Sequence, residues 1–333
     1  MNYIGSKLKL SKWIKEQITN IVGDTNNKVF CDIFAGTGIV GRVFKKYTKK
    51  VIANDIEYYS YVLNKNYIEN HEPLTNAEEL INELNYCKGV EGFIYKNYCM
   101  GSGSGRQYFS DDNGKKIDAI RIKIENWYNK NIITDNEYFF LLASLLESAD
   151  KVANTASVYG AFLKHLKKSA QKPLILEAAY FEVNDNEHEV YKEDANRLIK
   201  QIQGDILYLD PPYNHRQYGA NYHLLNTIAE YKPFIPKGKS GLREYSKSSY
   251  CRKNKVLQSF EELISNANFE FIFLSYNNEG LMKEEDIENI MSKYGKYSLV
   301  KKEYQRYKAD NNRGYKDKKI FEYLHVLEKN RTI

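Results

Sequence analysis

Val29-Phe30-Cys31-Asp32-Ile33-Phe34-Ala35-Gly36-Thr37-Gly38 reads as an apolar strand running into a glycine turn. Ile39 to Lys46 then carries helical apolar spacing, and Val51-Ile52-Ala53-Asn54-Asp55-Ile56 forms a second strand ending on an acid. Gly36, Gly38 and Gly41 satisfy G-x-G-x-x-G, and Asp55 lies 19 residues past Gly36. Strand, glycine turn, helix, strand and acid in that order predict the cofactor half of a doubly wound α/β sheet. Glycine lets the backbone approach a ligand closely, and a carboxylate at position 55 can accept from two ribose hydroxyls. A nucleoside-containing cofactor follows.

The glycines alone permit a nicotinamide dinucleotide, as in a dehydrogenase. Two features favour S-adenosylmethionine. Asp32 and Phe34 precede the turn, and a carboxylate there can meet an amino-acid ammonium, which a dinucleotide lacks. The second is Asp210-Pro211-Pro212-Tyr213, which follows the apolar run Ile206 to Leu209. Paired prolines stiffen the turn and leave carbonyls free to accept. Asp210 and the Pro211 carbonyl can receive the hydrogens of an amino group on a flat ring, and Tyr213 can receive the ring face. A methyl donor needs such an acceptor slot beside it.

Three separated segments together resemble the adenine-specific DNA methyltransferases of the Dam type. They are Tyr3-Ile4-Gly5-Ser6-Lys7, Asp32 to Gly38, and Asp210 to Tyr213. Their order matches the alpha arrangement, with target recognition between cofactor loop and catalytic loop. Tyr3 to Lys7 and Ser275-Tyr276-Asn277 are closest to the modification enzymes that accompany restriction nucleases of the FokI kind. The resemblance implies a Rossmann-like methyltransferase sheet (residues 1–66 and 186–333) with a mainly helical target-recognition insertion (67–185). It implies that Tyr3 packs on the cofactor, Lys7 meets its carboxylate, Asp55 holds its ribose, and Asp210 touches both cofactor side and target amine. The Dam type has an indole where Tyr3 stands, and a phenol still offers a π face. An RNA methyltransferase is the nearest rival reading; many of those carry Asn in place of Asp210. A cognate restriction endonuclease encoded nearby is a further implied partner.

The net charge of the 333 residues is +6, and its placement says more than its size. Lys237 to Lys255 holds seven basic residues and one acid; Lys296 to Lys319 holds nine and three. Such clustering in the carboxyl third suits double-stranded DNA. Lys247, Arg252 and Lys253 are candidate phosphate contacts. Within the insertion, Arg106 beside Gly101-Ser102-Gly103-Ser104-Gly105 is another, with Lys115, Lys116 and Arg121 nearby. Lys164, Lys167 and Lys168 would share one helix face. Cys31, Cys87, Cys99 and Cys251 show no paired spacing, so neither a disulfide framework nor a metal site is expected. Motif residues begin at once and no apolar run reaches 18 residues, which points to a cytoplasmic enzyme without a membrane span.

Further helices are expected at 7–22, 58–70, 76–86, 118–129, 135–150, 194–201, 224–231 and 260–266. A strong strand is expected at 270–276. Two closing strands at 297–304 and 320–327 complete the reading.

Overall fold

The computed structural model describes residues 7–304 and 320–330. Tyr3 and residues 305–319 of the basic segment lie outside the described residues. Among those described, seven strands form one sheet: β1 Val29–Asp32, β2 Lys50–Asn54, β3 Glu189–Tyr191, β4 Gln203–Leu209, β5 Asn268–Asn277, β6 Gly295–Tyr304 and β7 Ile320–Lys329. The helices, in chain order, are α1 Ser11–Val22, α2 Ile39–Phe44, α3 Tyr58–Asn64, α4 Ala77–Asn85, α5 Phe93–Tyr98, α6 Asp111–Asn129, α7 Asp135–Val152, α8 Ala195–Leu198, α9 Tyr218–Asn221, α10 His223–Glu230, α11 Val256–Asn266 and α12 Glu284–Met291.

Strand order is β3-β2-β1-β4-β5-β7-β6. The ladders from β3 through β5 are parallel, and β7 lies antiparallel between β5 and β6. Parallel strands covered on both faces must be apolar in both side-chain rows. Phe30, Val51, Ile206 and Tyr208 accordingly pack with Ile14, Ile18 and Phe44 of α1 and α2. Cys31, Ile52, Leu207 and Leu209 pack on the other side with Leu198, Phe260 and Ile287 of α8, α11 and α12. The chain moves outward from β1 through β2 to β3 in one direction and from β4 to β5 in the other. The β1/β4 seam is therefore the topological switch point, where a crevice opens beyond the strands' carboxyl ends.

A third core joins α4 to α7 with α3 and α10, so the helical region's packing extends beyond 67–185 in both directions. Thr134 and Glu137 form a capping box that starts α7. Ser110 caps α6, which begins earlier than the apolar pattern suggested because Asp111 to Lys116 are polar. No helix forms through Lys164, Lys167 and Lys168. Instead, buried Asn154 donates to the carbonyls of Gln107 and Leu163 and accepts from the Lys167 amide, at 2.9–3.0 Å. A side chain that satisfies backbone groups this way removes the need for a helical ladder. β3, a three-residue edge strand, was too short to show a period. No helix among the described residues is long and apolar enough to cross a membrane.

Candidate active site

One cavity sits at the carboxyl ends of β1, β2 and β4, lined by Asp32, Phe34, Gly36, Asp55, Tyr208 and Asp210 among others. The glycine turn and the Asp-Pro-Pro-Tyr turn meet there because β1 and β4 are paired, with Asp32 in register with Tyr208. Gly36 and Gly38 hold φ of 52° and 76°, a left-handed conformation that a Cβ disfavours. The Gly36 amide donates to Asp55 Oδ2 (2.9 Å), and its carbonyl accepts from Asn64 Nδ2 (3.0 Å). The Glu57 amide donates to Asp55 Oδ1 (2.9 Å). Asp55 thus braces the turn against the end of β2. A Cβ at Gly38 would press on the Asn64 side chain. Gly38→Ala is expected to lose about 1–2 kcal/mol from the backbone alone, lowering the melting temperature by a few degrees and weakening cofactor binding. Thermal melts and calorimetry test this, and an unchanged variant would show that the turn is not required.

The cavity is rich in carboxylates. Asp32 is buried, and among the described residues its Oδ1 has no hydrogen-bond partner. Burial, then Asp210 and Asp55, push its carboxyl well above the usual range. Burial pushes Asp55 up to about 6 against its backbone donors. Glu57 is pushed up to about 7 by burial and by Asp55, and it accepts from Asn226 on α10. Glu193 and Asp194 add two more acids to the wall. Such a cavity favours a ligand that brings positive charge. S-adenosylmethionine carries a sulfonium and an ammonium and fits; the pyrophosphate of a dinucleotide would face this acidic wall.

Asp210 follows β4 directly. Lys7 Nζ lies 3.1 Å from Asp210 Oδ1 and 2.7 Å from Glu322 Oε1 on β7. Burial pushes Asp210 up to about 6, with Lys7 pulling it down and Glu322 pushing it further up. Burial alone would lower the Lys7 ammonium, but Asp210 and Glu322 raise it well above its usual value. The resemblance assigned Lys7 to the cofactor carboxylate, yet here it joins Asp210 to Glu322. An ammonium carries three hydrogens, so two such contacts do not by themselves bar a third acceptor.

Other expected residues fall differently. Pro212 lines the cavity, while Pro211 is buried and off its wall. Tyr213 is also off that wall; it packs toward the α11–α12 core, and its carbonyl accepts from the Leu281 amide at 3.0 Å. Arg106, expected at DNA, serves within the protein as a clamp. Its guanidinium donates to the carbonyls of Asn97, Gly238 and Lys239, because the glycine-rich loop needs partners where it meets the 238–241 turn. Lys115 pairs with Glu91, and Lys116 donates to the carbonyls of Asn85 and Cys87. Arg121 is buried and closes the end of α10 through the carbonyls of Ile228 and Ala229. Lys247 is exposed but lines the cofactor cavity along with Ser246, Ser248 and Ser249. Arg252 and Lys253 are exposed immediately beyond that wall. Glu57, Glu193, Asp194, Gln217, Tyr218 and Glu322 were missed. Asp194 had a signal, being the N-cap of α8 with its side chain on two backbone amides.

The sequence profile of the D12 class N6 adenine-specific DNA methyltransferases matches residues 3–319. The Type II methyltransferase M.NlaIII of Neisseria lactamica is 64% identical over 332 residues, covering 99% of both chains. Type II methyltransferase M.CviAII of Paramecium bursaria Chlorella virus 1 is 42% identical over 311 residues, covering 93% of both. Type II methyltransferase M.FokI of Planomicrobium okeanokoites is 42% identical over 345 residues, covering 99% of this chain and 53% of that one.

Proposed function

Given that the chain belongs to the D12 class N6 adenine-specific DNA methyltransferases, we propose that it methylates a flipped adenine at one DNA site as the modification half of a restriction-modification system. The observation that carries the residue assignments is the shared cavity: an acidic cofactor wall and the Asp210 turn lie side by side. When bound, S-adenosylmethionine supplies the methyl group from its sulfonium. Asp32 would hold its ammonium and Asp55 its ribose. Tyr3, which lies outside the described residues, would pack on it.

The chain's own work is on the base. An exocyclic amine is a poor nucleophile because its lone pair is delocalised into the ring. Asp210 and the Pro211 carbonyl accept its two hydrogens, drawing the nitrogen toward a tetrahedral geometry and aiming its lone pair. A base inside duplex DNA must first be extruded, at a few kcal/mol. Stacking on Tyr213 offsets about 1–3 kcal/mol of that cost. Neither Pro211 nor Tyr213 lines the cavity, so these two roles require the turn after β4 to shift when DNA binds. A restriction endonuclease encoded nearby would be the functional partner.

Long-read sequencing of DNA from cells expressing the chain tests the activity. N6-methyladenine at one recurrent motif is expected, and unmodified adenine throughout would overturn the proposal. Arg252 and Lys253 are assigned to DNA phosphates. Their double replacement by alanine is expected to reduce the salt slope of DNA binding by about 1.8, near 0.9 for each neutralised phosphate. An unchanged slope would remove that loop from the interface.

A further inference from the structure

Glu322 is the buried acid that the catalytic turn meets from the far end of the chain. β7 holds it between two ladders, in register with Asn277 of β5 and Lys302 of β6, so its backbone has little freedom. Its carboxylate is 6% exposed as a residue and lies 2.7 Å from Lys7 Nζ, against 3.1 Å from that ammonium to Asp210. One cation is therefore shared between two acids, and the shorter contact is with Glu322. Among the described residues, the other titratable groups facing Asp210 are Asp32 of β1, Tyr208 of β4, and Tyr213 and Tyr218 beyond the turn. Each of them is neutral or negative. Among the described residues, Lys7 is thus the cation on which Asp210 depends, and Glu322 competes for it.

We propose that Glu322 is a positioning residue for methyl transfer, anchoring the Lys7 ammonium and thereby fixing both the aim of Asp210 and the share of positive charge it receives. This rests on the reading of Asp210 as acceptor for the target amine. Glu322 does not line the cavity; it acts through Lys7. Its negative charge favours protonation of Asp210, whereas Lys7 opposes it. Loss of the Glu322 charge should therefore make Asp210 more acidic.

Two variants separate charge from aim. Glu322→Gln keeps an oxygen acceptor for Lys7 and removes the charge. The acid limb of kcat/KM, near pH 6 in the parent from the value for Asp210, is expected to move to lower pH. Glu322→Asp keeps the charge and withdraws the carboxylate by one methylene. There the limb should stay in place while the single-turnover rate falls about tenfold through misplacement of Lys7 and Asp210. Affinity for S-adenosylmethionine, read by calorimetry, should stay within threefold in both. A folded Glu322→Gln enzyme whose limb is unmoved or moves up overturns the proposal, as does a Glu322→Asp enzyme with the parent rate. Asp210→Asn distinguishes the underlying reading: parent-like turnover there would discard the role of Asp210, whatever Glu322 does.

Discussion

Asp210→Ala is expected to lower single-turnover methyl transfer by about a thousandfold or more while the protein stays folded. Two contributions combine. Removing one preorganised hydrogen-bonding group from a reacting centre costs about 10²–10³ in rate. Losing the orientation of the amine adds to that. Asp210→Asn, which keeps a carbonyl acceptor, should fall less, by roughly a hundredfold. Stability is not the cause in either case. The folded-state value of Asp210 is raised to about 6 from an ordinary 3.8, so the native state binds its proton more tightly than the unfolded chain. This group's contribution is therefore most favourable below pH 4 and is lost as pH rises through about 6. At pH 8 its removal relieves a buried charge, and Lys7 keeps Glu322 as a partner. The melting temperature should accordingly match or exceed that of the parent. Parent-like turnover in a folded Asp210→Ala protein would defeat the mechanism.

Asp32→Ala is expected to weaken S-adenosylmethionine binding by about two orders of magnitude. Truncating one partner of a buried charge pair costs about 2–5 kcal/mol, roughly 30-fold to several thousandfold in affinity. The cofactor's ammonium would replace the partner that Asp32 Oδ1 lacks among the described residues. Burial, Asp210 and Asp55 all favour the protonated acid in the free protein. Binding a cation there should release a proton, so affinity should rise with pH and the calorimetric heat should depend on the buffer's ionisation enthalpy. Asp32→Asn should melt higher than the parent yet bind the cofactor poorly, because the cost of burying an acid beside Asp210 and Asp55 is removed along with its function. Unimpaired binding in Asp32→Ala would place the ammonium elsewhere.

Much of the site was legible because its signals are local. Glycines at 36 and 38, an acid at 55 and the turn after β4 each follow a strand that apolar and β-branched content reveals within a few residues. The hairpin of β6 and β7 was likewise visible. The cationic assignments fared unevenly. Arg106, Lys115, Lys116 and Arg121 look like a basic face in one dimension, yet backbone carbonyls or Glu partners take up each of them. Arg252 and Lys253 remained exposed. Lys7 was identified as a site residue, but its contacts with Asp210 and Glu322 were not foreseen.

From the sequence alone came the doubly wound sheet, the methyl-donor cofactor and the acceptor turn, since periodicity and turn chemistry act over adjacent residues. The tertiary structure alone decided that Lys7 is shared by Asp210 and Glu322, that Glu57 joins the cofactor wall, and that Lys247 lines the cavity. Electrostatic partners are chosen by distance in space, and the Lys7–Glu322 contact joins residues 315 apart in the chain. Burial, which favours the protonated forms of Asp32, Asp55, Glu57 and Asp210, is likewise a property of the packed whole.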